Sequence, residues 1–120
     1  QLFDQSAAVS ALVTSSSAIT QGSLRMFGAS YSAAVGGASA AGDMVLYQDG
    51  AAIADNDSNN ASYVAMEDLA TALTIGARGG TGSIWFAGTI AFLLLAKGVI
   101  GPTAMREIKN QMNGYFGLTL

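Results

Sequence analysis

Residues 84–96 read IWFAGTIAFLLLA and are the most apolar stretch of the chain. They end a span of 18 residues without a charge, from Gly79 to Ala96, and Lys97 follows directly. A helix from Trp85 to Lys97 would rise about 18 Å, which is short for a hydrocarbon core of about 30 Å. The stretch therefore predicts an apolar, lipid-compatible helix that is too short for comfortable permanent spanning. Its large side chains are those of Ile84, Trp85, Phe86, Ile90, Phe92, Leu93, Leu94 and Leu95.

The segment before this stretch predicts an amphipathic helix. Its apolar residues recur at helical spacing and are Tyr63, Met66, Ala70, Leu73 and Ala77. Asn60 is suited to cap the start of the helix. Acidic residues lie early in the segment and Arg78 lies at its end, which suits the helix dipole. Residues 79–82 read GGTG and predict a turn between two helices.

An amphipathic helix, a Gly-rich turn with Arg78, an apolar helix and then Lys97 resemble the helical hairpin of conjugative and type IV secretion pilins. The resemblance covers residues 61–100. In that family, a subunit freed of its signal peptide waits in the inner membrane and is then extracted into a helical filament. The resemblance implies that Arg78 and Lys97 contact the filament lumen or lipid head groups. No cofactor is expected, apart from the bound phospholipid that the resemblance suggests. Residues 1–60 would form an additional layer.

The C-terminal residues predict one more helix. Pro102 is favoured at a first helical position. Beyond it, Met105, Ile108 and Met112 share one face of an amphipathic helix, with charged and polar residues around it. Residues 114–120 form an uncharged, mainly apolar tail, which we expect to pack on a neighbour.

The N-terminal third predicts helices rich in small residues. Residues 5–24 and 26–42 contain no charge. In the first span, Val9, Leu12, Val13 and Ile19 fit one helical face. The second span has small residues four apart, a spacing that lets helix backbones approach closely. The residues that we expect at this helix-packing interface are Ala33, Gly36, Gly37, Ala40 and Ala41.

Residues 43–60 interrupt the helical pattern. Asp49-Gly50 lies between two apolar runs, which is a signal for a β-hairpin. The alanines that follow it are poor strand formers and weaken that signal. Residues 55–60 read DNDSNN and predict a polar loop. Either a short β-hairpin or a loop insertion is therefore expected near residues 43–60.

Composition excludes several classes of site. The chain has 120 residues and contains no His and no Cys, so a histidine-based triad, a thiol nucleophile and the common transition-metal sites are excluded. Charged residues make up 11% of the chain and the net charge is −3, with no basic patch for nucleic acid. By contrast, 22 Ala, 15 Gly and 12 Ser favour close packing of backbones. We expect no enzymatic activity, catalytic residue or metal site.

The sequence thus predicts an all-α fold in a single domain, residues 1–120. Small-residue helices are expected over residues 1–42, a polar loop over 43–60 and a helical hairpin over 61–100. A C-terminal helix and an apolar tail are expected over residues 102–120.

The predicted function is that of a structural subunit of an exported helical filament. The predicted partners are copies of the chain, membrane lipid and secretion machinery. We expect export after signal-peptide cleavage, with an assembly pool in the inner membrane and then an extracellular filament. Two alternatives remain at this point: a small hydrophobic viral coat protein, and an integral-membrane accessory subunit of a larger complex.

Overall fold

The computed structural model describes residues 2–4, 6–18, 22–66 and 86–120. In this part of the chain, six strands and a 3-10 helix precede one α-helix. The strands are β1 (Leu2–Asp4), β2 (Val9–Ser15), β3 (Phe27–Tyr31), β4 (Met44–Gln48), β5 (Ala51–Ala52) and β6 (Asp55–Ser58). The 3-10 helix spans Gly37–Asp43, and α1 spans Pro102–Phe116.

The strands form two antiparallel sheets, so the predicted all-α fold is wrong. One sheet has the order β1-β2-β6, and the other has the order β3-β4-β5. The fold is a mixed, strand-rich α/β structure. Residues 53 and 54 carry the chain from β5 in the second sheet to β6 in the first. The two sheets are therefore closely linked along the sequence.

Strand β2 shows why the N-terminal helix prediction fails. Ala11 and Val13 are buried, whereas Leu12 between them is half-buried and Thr14 is exposed. This alternation has the period of two that a strand with one buried face requires. The helical prediction grouped Leu12 with Val9 and Val13, but Leu12 lies opposite Ser58 of β6 in the ladder. Pairing with distant strands outweighs the local pattern.

The core lies between the two sheets. Its buried residues are Leu2, Ala11, Val13, Ala40, Ala41, Met44 and Tyr63, with Val9, Tyr31 and Leu46 packed against them. Both sheets and the 3-10 helix contribute side chains to this cluster. Tyr63 is only 2% exposed and is the largest fully buried side chain in the described residues.

The small residues predicted to pack helix on helix instead form a tight connection between β3 and β4. Ala33, Gly36 and Gly37 have positive φ angles of 52°, 62° and 50°, which a regular α-helix does not allow. Ala40 and Ala41 lie in the 3-10 helix and are fully buried in the core of the same chain. These residues form no α-helix, so they do not pack one helix against another within the described chain.

The turn at Asp49-Gly50 confirms the hairpin alternative for residues 43–60. It joins β4 to β5, with Gln48 opposite Ala51, so the turn has two residues. Asp49 and Gly50 have φ angles of 51° and 80°, which suit the right-handed twist of a hairpin. Residues 55–58, predicted as a polar loop, form β6 at the edge of its sheet. Polar side chains are usual on an exposed edge strand.

The C-terminal part combines one expected element with one correction. Helix α1 begins at Pro102, as the sequence predicts, and ends where Gly117 adopts a left-handed conformation. Residues 86–100, however, contain no helix and no strand. The apolar helix predicted for the hairpin is therefore wrong for residues 86–96, the part of it that the structure describes. A helix that is apolar all round must be buried on every side, and this segment is exposed along most of its length.

Candidate functional site

An apolar groove of about 840 Å³ lies on the surface of the described residues. We use the name apolar groove for the depression between β3, residues 89–96 and the inner face of α1. Residues 24–26, before β3, line one end, and the C-terminal Leu118 and Leu120 also line it. Its volume lies in the range of protein ligand pockets, but it has the open shape of a surface depression.

Large apolar side chains are concentrated in this groove. Of the fourteen exposed large hydrophobic residues in the described part of the chain, ten line it. They are Leu24, Phe27, Met66, Phe86, Ile90, Phe92, Leu93, Leu94, Leu95 and Phe116. Each of these residues is about half exposed. Exposed apolar side chains that occur singly are normal, whereas a group of them around one depression marks a candidate interaction surface.

One wall of the groove is the run Ile90–Leu95, which reads IAFLLL. Its five large side chains are between 47% and 68% exposed. Among the described residues, no backbone hydrogen bond involves residues 86–100. Backbone groups without partners must remain solvated or find partners in another polypeptide. This wall therefore has both apolar side chains and backbone groups available for contact.

The opposite wall is β3, an edge strand. In the order β3-β4-β5, β3 pairs with β4 on one side, and no described strand pairs with its other side. Edge strands in monomeric proteins are usually protected by charged side chains, by proline or by a bulge. Residues 26–42 contain no charge and no proline, so β3 has none of the first two protections.

Helix α1 forms the floor of the groove and is fixed to the second sheet at two points. The first point is Met105, which is buried against Gly28. A Cβ atom at residue 28 would lie only 2.9 Å from Cε of Met105. The absence of a side chain at residue 28 therefore lets α1 approach β3. The second point is the hairpin turn, where the missing side chain of Gly50 lets α1 approach with Arg106 and Lys109. The remaining inner face, which includes Ile108 and Met112, lines the groove.

An ion pair stabilises the end of the groove that precedes β3. Nη1 of Arg25 donates to Oδ2 of Asp49 at 2.7 Å, and the backbone N–H of Met26 donates to Oδ1 at 3.1 Å. Partial burial acts to raise the pKa of Asp49, but the hydrogen bonds from Met26 and Arg25 outweigh it, so the pKa is lowered. The pair joins the start of β3 to the hairpin turn and leaves no net charge there.

Two further carboxylates hold loops by accepting backbone hydrogen bonds. Asp43 accepts from the backbone N–H groups of Val35 and Gly36, each at 2.7 Å, and from the hydroxyl of Ser32. The hydrogen bond from Gly36 is the main cause that lowers the pKa of Asp43, against the opposing effect of burial. This carboxylate therefore has a structural role in the loop between β3 and the 3-10 helix.

Asp4 has the same role at the N-terminal edge. Its carboxylate accepts from the backbone N–H groups of Ala7 and Val64 and from the hydroxyl of Ser6. The hydrogen bond from Ala7 is the largest cause of its lowered pKa. Asp4 thus ties β1 to the segment that follows Tyr63. No group of three or more His, Cys, Asp or Glu residues suited to a metal ion occurs among the residues that the structure describes.

The structure places the predicted site residues in different environments. Arg78, Ile84 and Trp85 lie outside the described residues, so the predicted lumen or head-group contact of Arg78 stays a prediction. Lys97 is exposed and follows the groove wall. The other predicted apolar residues, Phe86, Ile90 and 92–95, all line the groove. In residues 2–4, 6–18, 22–66 and 86–120, every helix is too short or too polar to cross a bilayer.

Sequence reasoning missed β3 as a part of the site. The strand contains Gly28, Ala29 and Ser30, which were interpreted as small residues of a helix. Its aromatic ends, Phe27 and Tyr31, lie four residues apart and so fit a helical period as well as a strand period. The hairpin signal at residues 49–50 was the available indication, because it predicts a strand at residues 44–48 that needs a partner.

Comparison of the chain with protein-family models, with curated proteins and with solved structures finds no match in any of the three.

Proposed function

We propose that the chain is a non-catalytic structural subunit that associates with copies of itself through the apolar groove. The observation that carries the proposal is the concentration of ten exposed large apolar side chains in one groove. The exposed surface of these side chains is the apolar area that association can bury. Burial of this surface stabilises association through the hydrophobic effect.

The polymer that we propose is an exported filament, and a viral coat is the alternative. Both polymers place each subunit among copies of itself, so both use the groove as the repeating contact. Membrane lipid and secretion machinery remain proposed partners before assembly. A helical hairpin of the pilin type is not part of the proposal, because residues 86–96 are not helical.

A matched pair of substitutions tests the role of the groove. Leu94 lies in the groove wall, whereas Val35 is 70% exposed and lies outside it. Leu94→Asp places a charge in the proposed contact, where burial of an unpaired charge is strongly unfavourable. Val35→Asp makes the same change from apolar to acidic on a surface without a proposed contact. Circular dichroism of both variants checks that the fold is retained.

Light scattering after size-exclusion chromatography measures the association. We expect oligomers of the unaltered chain and of Val35→Asp, and an apparent Kd at least about tenfold weaker for Leu94→Asp. A monomeric unaltered chain at every concentration would overturn the proposal, and so would equal association of the two variants. Electron microscopy of the assembled material then distinguishes filaments from closed shells.

A further inference from the structure

We infer that residues 90–95 of one copy add as a strand to the free edge of β3 in a second copy. This inference rests on the proposed function and specifies its contact. It places the run IAFLLL inside the apolar groove of the neighbouring molecule, where β3 is extended by one antiparallel or parallel strand.

The first reason is that both partners have unpaired backbone groups. The outer edge of β3 has no partner among the described strands, and no backbone hydrogen bond between described residues involves 86–100. A ladder between the two satisfies the donors and acceptors of both at once. No side-chain contact alone would do so.

The second reason is the apolar character of residues 90–95 on both faces. A strand with one solvated face alternates between apolar and polar residues, whereas a strand buried on both faces is continuously apolar. The run from Ile90 to Leu95 contains no polar residue. In the single chain its large side chains remain about half exposed, so a second surface is needed to cover them.

The third reason is a match in length and charge. Strand β3 has five residues, and the run has six, so each extends over roughly 17–20 Å. Neither contains a charged residue, so no repulsion opposes their pairing. At the end of β3, the ion pair of Arg25 with Asp49 is neutral as a unit. Charged side chains and proline, two of the usual protections of an edge strand, are missing from β3.

Cysteine pairs test the contact, because the chain contains no cysteine of its own. One preparation contains Ala29→Cys, at the centre of β3, with an affinity tag. A second, untagged preparation contains a single cysteine at residue 92, 93, 94 or 95. The two are mixed, allowed to assemble and oxidised, and heterodisulfides are counted by mass spectrometry. Val64→Cys, exposed and outside the groove, replaces the second cysteine as the control.

Successive residues of a strand point to opposite faces, and a disulfide needs Cα atoms within about 7 Å. We therefore expect heterodisulfides mainly at one position, with any second position two residues away on the same face, in at least about tenfold excess over the control. Equal yields at all four positions, or yields no higher than those of the control, would overturn the inference.

A double variant distinguishes the second copy from closure within one chain. Ala29→Cys combined with each cysteine in turn must form disulfides between molecules and not within the monomer. Intramolecular disulfides in the dilute monomer would contradict the choice of a second copy as the occupant. If the protein assembles but no disulfide forms at residue 29, the strand pairing is rejected and the proposed function stands.

Discussion

The two ends of the described chain differ in how far they bury their apolar side chains and pair their backbone hydrogen-bonding groups. In residues 2–66, two sheets share a core around Tyr63, and buried carboxylates accept the hydrogen bonds of the loops. In residues 86–120, one helix buries a single side chain, that of Met105, and the apolar run beside it is exposed. The core of the first region is complete within one molecule, and only the outer edge of β3 lacks a strand partner among the described residues. The second has an apolar surface, and the backbone groups of residues 86–100 have no hydrogen-bond partner among the described residues.

The largest expected effect lies in the complete region. Tyr63→Ala removes the largest buried side chain, and large aromatic-to-alanine changes in a core cost about 3–5 kcal/mol. The free energy of unfolding should fall by that amount in urea denaturation. A fall below about 1 kcal/mol would show that the shared core does not hold the sheets together.

Tyr63→Phe is the matched control. Among the described residues the Tyr63 hydroxyl has no hydrogen-bond partner, and burial is the main cause that raises its pKa. Loss of a buried hydroxyl without a partner is nearly neutral or stabilising. We expect an unfolding free energy within about 0.5 kcal/mol of the unaltered chain.

A smaller effect is expected where the two regions meet. Met105→Ala removes the buried contact of α1 with Gly28. We expect the free energy of unfolding to fall by about 2 kcal/mol, at the low end for a buried methionine, because the open groove lets the site relax. Met112→Ala changes the same residue type on the same helix at a position that is not fully buried. Its loss in denaturant unfolding should be below about 1 kcal/mol. Equal losses would show that α1 is not anchored at Met105.

The carboxylates give the complete region a pH dependence. The pKa values of Asp4 and Asp43 are lowered from an ordinary 3.8, mainly by backbone hydrogen bonds from Ala7 and Gly36. Each therefore stabilises the fold fully above its ordinary pKa and loses that contribution as the pH falls below 3.8 through the lowered value. Thermal midpoints measured from about pH 6 to about pH 2 should fall steeply only at the acid end.

Asp43→Asn sharpens this prediction, because an amide has one acceptor oxygen where the carboxylate uses two. The variant should be less stable at neutral pH, and its midpoint should fall less on acidification. A midpoint with the same pH dependence as the unaltered chain would exclude Asp43 as a source of the acid sensitivity.

Local signals predicted some elements of this fold and not others. Pro102 and the apolar spacing after it define α1, and Asp49-Gly50 defines the hairpin, because each is a signal within a few residues. The strands β2 and β3 depend on partners up to 46 residues away in the ladder, such as Leu12 with Ser58 and Phe27 with Gln48. Their alanines, glycines and serines fit both periods, so the pairing alone decides.

The candidate site was predictable only in part. A continuous apolar run such as Ile90–Leu95 indicates burial on both faces but cannot distinguish a helix from a strand. The sequence therefore predicted the residues of one groove wall and assigned them the wrong structure. The opposite wall could not be predicted, because an edge is defined by the order of strands in a sheet.

Amide hydrogen exchange at two protein concentrations tests the central claim most directly. If a second copy covers residues 90–95, their exchange should slow by at least about tenfold from dilute to concentrated protein, while the amides of β2, already paired with β1 and β6, should not change. Fast exchange of residues 90–95 at both concentrations would contradict the account, and slow exchange at both would show that the run is covered within a single chain.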